Sequence, residues 1–379
     1  MKLGSTRRWL ASAAARWAGI VLVGATGCGA DHVIGSLGLG AVRHYSGTAL
    51  ESIAIGDFDG DGSVDLVSQD RSGFVVCLLR GAGDGTLLPL RCQPLTEPAQ
   101  AISALPTTQG KALLVRAGAA ISLWSVSSEG VFAKNGQSPL LAPVASQGLT
   151  VVELDGDDRA DLLVAESAPP QVEVLRGLEP GFRTSGSYAV PVAPQALLYR
   201  DLDGDHHPEL AALLPGTLSL WSERGLVSWS GCLAPQWNRP LGLWPVQRWQ
   251  GAQPALMVFD GSLGLLSVMR ALSGTRFGFT CGEFATLPGG PILDAGGVAM
   301  TSADLDADGE VELLLAGSDG VLRVYRARDE AIALLTEQRI DGGVAQLWAA
   351  DLDHDELPEV IAVSAQRDDI LVLPNLFRR

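Results

Sequence analysis

The chain has 379 residues, 47% of them hydrophobic and 18% charged, with 45 glycines. That apolar content excludes a disordered chain, and the length exceeds one ordinary domain of about 100–200 residues unless it is a single large all-β or repeat architecture. A formal charge of −16 excludes a nucleic-acid partner, because binding a phosphate backbone depends on clustered Lys and Arg.

Lys2, Arg7, Arg8 and Arg16 form a basic leader ahead of an apolar stretch from Trp17 to Gly27. The uncharged run from Trp17 to Ala30 is 14 residues, short of the roughly 20 that span a bilayer. Residues 1–27 therefore read as a secretory signal peptide. The segment Ala25-Thr26-Gly27-Cys28 resembles a bacterial lipobox, with Ala25 where Leu is usual. That resemblance implies a lipid on Cys28, with residues 28–40 as a tether; ordinary cleavage nearby is the alternative. Thr6-Arg7-Arg8 matches part of a twin-arginine export signal. The expected location is outside the cytoplasm, as an outer-membrane or cell-surface lipoprotein or as a periplasmic or secreted protein. Residues 1–27 hold four basic side chains and no acidic one, so their removal takes the formal charge to −20.

Beyond the leader, five segments share one acidic pattern. They are Asp57-Phe-Asp-Gly-Asp-Gly-Ser-Val-Asp65, Glu153-Leu-Asp-Gly-Asp-Asp-Arg-Ala-Asp161, Asp201-Leu-Asp-Gly-Asp-His-His-Pro-Glu209, Asp304-Leu-Asp-Ala-Asp-Gly-Glu-Val-Glu312 and Asp351-Leu-Asp-His-Asp-Glu-Leu-Pro-Glu359. Their starts are 96, 48, 103 and 47 residues apart, one period or about two, so two units near 105 and 250 have lost the acids. Those units keep other marks of the repeat. Lys111-Ala-Leu-Leu-Val115 stands where Val64-Asp-Leu-Val67 stands, Gln253-Pro-Ala-Leu256 mirrors His207-Pro-Glu-Leu210, and Ile121-Ser-Leu-Trp124 matches Leu218-Ser-Leu-Trp221.

Each unit alternates short apolar runs with Gly, Asp and Pro, too short for helices and too regular for loops. Four strands at this period make a propeller blade. The expected fold is an all-β, seven-bladed β-propeller over residues 41–379, with four antiparallel strands per blade. Its blades span about 48–96, 97–144, 145–192, 193–242, 243–294, 295–342 and 343–379. The last has room for three strands, so residues 41–46 supply its fourth and close the ring, which pairs an edge that would otherwise be free to aggregate.

Carboxylates at positions 1, 3, 5 and 9 of a nine-residue turn repel one another, and more strongly as water leaves. A hard cation among them removes the conflict, and Ca²⁺ takes six to eight oxygens. An EF-hand is excluded: position 12 is Ser68, Val164, Ala212, Leu315 or Ala362 rather than Glu, and the flanks alternate like strands. The pattern resembles the calcium loops of FG-GAP/VCBS-type repeats, found in the integrin α-chain propeller and in many bacterial secreted proteins. That resemblance covers all seven units and implies up to five Ca²⁺. The ligands it implies are Asp57, Asp59, Asp61 and Asp65; Glu153, Asp155, Asp157 and Asp161; Asp201, Asp203, Asp205 and Glu209; Asp304, Asp306, Asp308 and Glu312; and Asp351, Asp353, Asp355 and Glu359. The loop at 57 is expected to be the best site and that at 304 the next. The others depart from the pattern: Glu153 replaces Asp, and Asp158, His206 and Glu356 occupy a position that favours a left-handed backbone. The five loops hold 23 of the 43 acidic residues, so five Ca²⁺ bring the mature charge from −20 to −10.

Cys77 and Cys92 flank a turn near Asp84 and are placed to form a disulfide in an oxidising compartment. Cys232 and Cys281 lie one period apart. Trp124, Trp221, Trp244 and Trp348 recur with the repeat and read as packing residues, whereas Trp237 and Trp249 are the candidates for glycan contact. No nucleophile elbow, zinc-protease helix or phosphate loop is present, and three of five histidines lie inside the acidic loops. The expected function is therefore non-enzymatic: a surface binding, adhesion or scaffold module for a protein or glycan, held at the membrane if Cys28 is lipidated. The alternatives are a lectin and a calcium-dependent polysaccharide lyase; a lyase needs a basic or aromatic cleft for uronates, against the acidity of this chain.

Overall fold

The structure is a computed structural model. It describes residues 39–375 apart from internal stretches that include 140–143, 155–156, 158, 201, 203–207, 223–227, 232–239, 250–252, 261–264, 272–278 and 289–298. The predicted signal peptide, Cys28 and most of the tether lie outside the described residues. No helix among the described residues is long and apolar enough to cross a membrane.

The chain folds into four-stranded antiparallel sheets, each running outward in sequence order. The first sheet is Leu50–Gly56, Asp65–Asp70, Val75–Leu79 and Arg91–Pro94. Its successors occupy residues 101–139, 144–189, 196–231 and 240–286. The sixth is Ala299–Ala303, Glu312–Ala316, Val321–Arg328 and Ala331–Arg339. The last takes Val344–Ala350, Glu359–Ser364 and Asp369–Leu373 from the C-terminal end, and Arg43–Ser46 as its outermost strand. That N-terminal strand pairs antiparallel with Asp369–Leu373, Arg43 opposite Val372 and Ser46 opposite Asp369. The paired segment begins earlier than the sequence indicated: Leu39 bridges Asn375, and the Gly40 amide donates to the Pro374 carbonyl at 2.7 Å.

Burial follows strand position within a sheet. Second strands such as Glu209–Leu214 and Glu359–Ser364 are buried throughout, because a neighbouring sheet covers each face. Outer strands such as Ala331–Arg339 alternate between exposed and half-buried residues. Seven apolar clusters hold the assembly together, each joining one sheet to the next. Between the fifth and sixth sheets, Trp244 and Phe259 meet Leu313 and Tyr325, and the Trp244 indole N–H donates to the Val311 carbonyl at 3.1 Å. Between the last sheet and the first, Trp348, Leu352 and Ile361 pack on Leu50, Ile53 and Leu66, so the ring closes on itself as a β-propeller. The closing strand reaches across the same junction, where the Leu87 amide donates to the Tyr45 hydroxyl at 3.1 Å.

The recurring tryptophans are packing residues: Trp244 and Trp348 are buried between sheets, and the Trp221 ring lies 5.6 Å from that of Tyr188 in the preceding sheet. Cys77 and Cys92 are directly opposed on the third and fourth strands of the first sheet and are joined by a disulfide. Where the acids are missing, the loop contracts. The first two strands of the second sheet are Ala101–Thr107 and Gly110–Ala117, and those of the fifth are Pro240–Trp249 and Gln253–Asp260.

Ile361→Ala deletes a wholly buried side chain at the ring-closing junction and is expected to cost about 2–5 kcal/mol of unfolding free energy in urea denaturation. Val131→Ala, at a side chain 54% exposed, should stay within about 0.5 kcal/mol of the parent. Equal effects from the two would contradict the junction's role.

Candidate metal centres

The acidic loops join the first and second strands of their sheets, and each closes on one residue pair: Gly56 with Asp65, Val152 with Asp161, Arg200 with Glu209, Ala303 with Glu312 and Ala350 with Glu359. The acid at position 9 is thus the first residue of the second strand, and it is buried in all five. One of its oxygens accepts the backbone N–H of position 2. Phe58, Leu154 and Leu202 donate at 2.9 Å, Leu305 at 2.8 Å and Leu352 at 2.7 Å. Position 2 is an apolar plug: Phe58, Leu202, Leu305 and Leu352 are each less than 5% exposed. The plug drives the turn inward and the position-nine carboxylate ties it to the sheet edge, so the polar closure of the hairpin depends on an acid sealed from water.

Three loops bring their odd-numbered carboxylates together. Asp57, Asp59 and Asp61 form one group, Asp304, Asp306 and Asp308 a second, and Asp351, Asp353 and Asp355 a third, each with its oxygens within 4.8 Å of one another. Two oxygens bound to one Ca²⁺ at about 2.3–2.6 Å are separated by no more than about 5 Å, so these groups have the right dimensions for a shared hard cation. Asp65, Glu312 and Glu359 stand outside the groups, facing their position-two amides. In the loop at 153, Glu153, Asp157 and Asp161 form no such group among the described residues, and Asp155 lies outside them. Asp201, Asp203, Asp205 and Trp237 also lie outside; Trp249 ends a strand opposite Gln253, its side chain outside the description.

The three groups share one backbone path. Positions 4 and 6 are left-handed in each: Gly60 and Gly62 at φ 79° and 91°, Ala307 and Gly309 at 55° and 86°, His354 and Glu356 at 64° and 70°. Glu356 thus takes the left-handed conformation that glycine takes elsewhere, against its own side-chain preference. The amides so exposed donate to the position-one carboxylate. Gly60 and Gly62 bond Asp57 at 2.8 and 3.1 Å, Gly309 bonds Asp304 at 2.9 Å, and Glu356 bonds Asp351 at 3.1 Å.

Electrostatic strain appears at the buried acids. Burial pushes Asp65 up to about 6 and Glu359 up to about 7, with backbone hydrogen bonds opposing. Glu312 is pushed up to about 8 by burial even though the Arg326 guanidinium favours its charged form. Asp304 and Asp353 are raised by burial and by the neighbouring loop carboxylates.

Sequence reasoning missed the cations that answer these acids. Arg80 is ion-paired with Asp59 and donates to Asp61 at 3.1 Å. Arg326 contacts Asp306 at 2.6 Å and Glu312 at 2.7 Å, and Arg176 contacts Asp161 at 2.9 Å. Arg176 and Arg326 lie near the ends of third strands and Arg80 just past one, each across from position 9. The signal was present in the repeats as Leu79-Arg80-Gly81, Leu175-Arg176-Gly177 and Tyr325-Arg326-Ala327. Lys111, at the contracted loop of the second sheet, lies against Gly56 and its amide donates to the Asp57 carbonyl at 3.2 Å.

A carboxyl whose folded pKa exceeds its unfolded value stabilises the fold below the ordinary carboxylate range and loses that contribution as pH rises through the folded value. With chelator present, unfolding free energy is therefore expected to fall between about pH 5 and pH 8, the window set by Asp65, Glu359 and Glu312. Glu359→Gln should flatten the decline in urea denaturation series. A stability that climbs across this window would contradict the assignment.

No family model matches the chain, and no curated protein sequence matches it. Solved structures do. A chain of the crystal structure of BBS1N in complex with ARL6DN, soaked with lead, is 16% identical at a TM-score of 0.65, covering 90% of this chain and 97% of that one. A streptogramin B lyase structure is 12% identical at a TM-score of 0.56, covering 90% and 99%. Catalytically inactive virginiamycin B lyase from Staphylococcus aureus, with quinupristin, is likewise 12% identical at 0.56, covering 89% and 99%. At these identities the likeness is one of fold, and the fold is a β-propeller.

Proposed function

We propose that the chain is an exported, calcium-stabilised β-propeller of the FG-GAP/VCBS type, acting as a non-enzymatic binding or scaffold module for a protein or glycan at the cell surface. The observation that carries this reading is the threefold recurrence of one acidic group on one backbone path. Chance acidic turns would not repeat the same left-handed pair and the same plugged, buried ninth position. Asp351 Oδ1 is shielded from water and accepts no hydrogen bond among the described residues, which fits an oxygen meant for a metal. Asp351, Asp353 and Asp355 would hold the ion, and the groups at 57 and 304 repeat the same geometry. Bound Ca²⁺ would supply charge neutralisation and cross-linking of each loop, while the chain's own residues set the hairpin's shape. Affinities of extracellular modules, about 10⁻⁴ to 10⁻³ M, suit an exported protein.

The propeller fold serves binding in the BBS1N–ARL6DN complex and catalysis in the lyases, so fold alone does not choose between these roles. What favours binding is the sequence. It carries no recognisable nucleophile, zinc or phosphate motif, and most of its acids sit in hairpin turns. A lectin is the variant of this reading in which Trp237 and Trp249 contact the glycan.

The test is thermal melting of the mature chain in calcium chloride and in EGTA. A cation that binds only the folded state adds about 2.7 kcal/mol per site at 100 times its dissociation constant, so the melt in calcium should lie clearly higher. Superimposable melts would overturn the calcium reading. For the lectin variant, glycan-array binding should vanish in Trp237→Ala or Trp249→Ala with the melting temperature unchanged.

A further inference from the structure

The acidic groups differ in what faces them across the sheet. In the first and sixth sheets the third strand brings an arginine to the register of the position-nine acid, one step past Leu66 opposite Leu79 and Leu313 opposite Tyr325. Arg80 is ion-paired to Asp59, whose side chain is wholly shielded from solvent, and it bonds Asp61. Arg326 gathers three acids, at 2.6 Å from Asp306, 3.6 Å from Asp308 and 2.7 Å from Glu312. Lys111 adds a second cationic side chain beside the loop at 57, where its stem lies against Gly56.

The last sheet differs. One step past Val360 opposite Leu373, the matching residue is Pro374, which has no charge to offer. No ion pair to Asp351, Asp353 or Asp355 occurs among the described residues. Arg43, on the closing strand, reaches the neighbourhood but donates to the Gly85 carbonyl at 2.6 Å. Among the described residues, Asp351 Oδ1 is shielded from water without a hydrogen bond.

We propose that Arg80 and Arg326 are built-in counter-ions that take the charge-balancing place of a divalent cation in the loops at 57 and 304, leaving the loop at 351 as the one that closes on an external cation. A guanidinium fixed by several charge-assisted bonds neutralises a carboxylate group without leaving solution equilibrium in control. It also opposes cation entry, because its positive charge must be displaced first. The order of metal dependence among these three loops is thus the reverse of that read from their Gly and Asp content. The half of this proposal that concerns loop 351 rests on the calcium reading above; the half that concerns the arginines does not.

The experiment uses the mature full-length chain, calcium chloride and EGTA, with the difference in melting temperature between the two as readout and calcium affinity by calorimetry. In the parent, Asp353→Asn should shrink the difference, whereas Asp59→Asn and Asp306→Asn should leave it unchanged. Arg80→Gln and Arg326→Gln should each enlarge it, with calcium affinity at the freed loop rising about tenfold, the scale of a lost bond to a charged group. Arg326→Lys keeps the charge and should not gain the response, and if Arg326→Gln fails to fold, Arg80→Gln reads the same effect. Arginine variants that lose stability equally in calcium and EGTA would overturn the proposal. So would a parent whose calcium response is abolished by Asp59→Asn or Asp306→Asn, although the calcium reading would then stand. A parent with no calcium response whose arginine variants acquire one would support the counter-ion role while removing the calcium reading of the native chain.

Discussion

Carboxylates crowded into a closing hairpin repel one another unless a cation or a proton offsets their charge. Every acidic loop in this chain buries one acid at the start of a second strand to receive a backbone amide, and in three of them three more acids gather within a few ångströms. The apolar plug at position 2 makes this arrangement cooperative, since Phe58, Leu305 and Leu352 enter the inter-sheet clusters only when the turn is folded. The hydrophobic effect therefore pulls the loop inward while like charges push it open. The structure answers the repulsion from within at two loops, by arginines delivered from the third strand, and among the described residues leaves the loop at 351 without such an arginine.

The second constraint is ring closure. A sheet covered on both faces by its neighbours is stable, but a ring must join its ends. Residues 43–46 do so by completing the last sheet, and the segment around them ties neighbouring sheets together: Gln338 donates to the Gly40 carbonyl, and Asn375 donates to the carbonyls of Leu305 and Pro358. These contacts tie the segments flanking the closing strand and the last strand to the sixth and seventh sheets.

Much of the architecture was legible because the repeat is written in short apolar runs at a constant period, and because Asp-x-Asp-x-Asp turns mark the loop between the first two strands. The outer closing strand was legible from the unequal ends: three strands' worth of sequence after residue 343 and a spare segment before residue 48. The counter-ions were harder to see. Arg80 lies 19 residues after Asp61 and Arg326 14 residues after Glu312, and only strand register brings them together. Position 9 was read as a metal ligand equivalent to the others; its burial, and its bond to the position-two amide, follow from the apolar residue at position 2, whose inward direction is a property of the packed ring. Glu356 was expected to resist the left-handed turn, yet it adopts φ 70°, because the strands on either side fix the path and the local preference yields.

The most direct measurement is hydrogen exchange of the loop amides, followed by mass spectrometry, in calcium and in chelator. The account predicts that peptides covering 351–359 lose protection when calcium is removed, while those covering 57–65 and 304–312 keep theirs. Uniform protection in all three loops whatever the calcium concentration, or loss confined to the arginine-bearing loops, would contradict it.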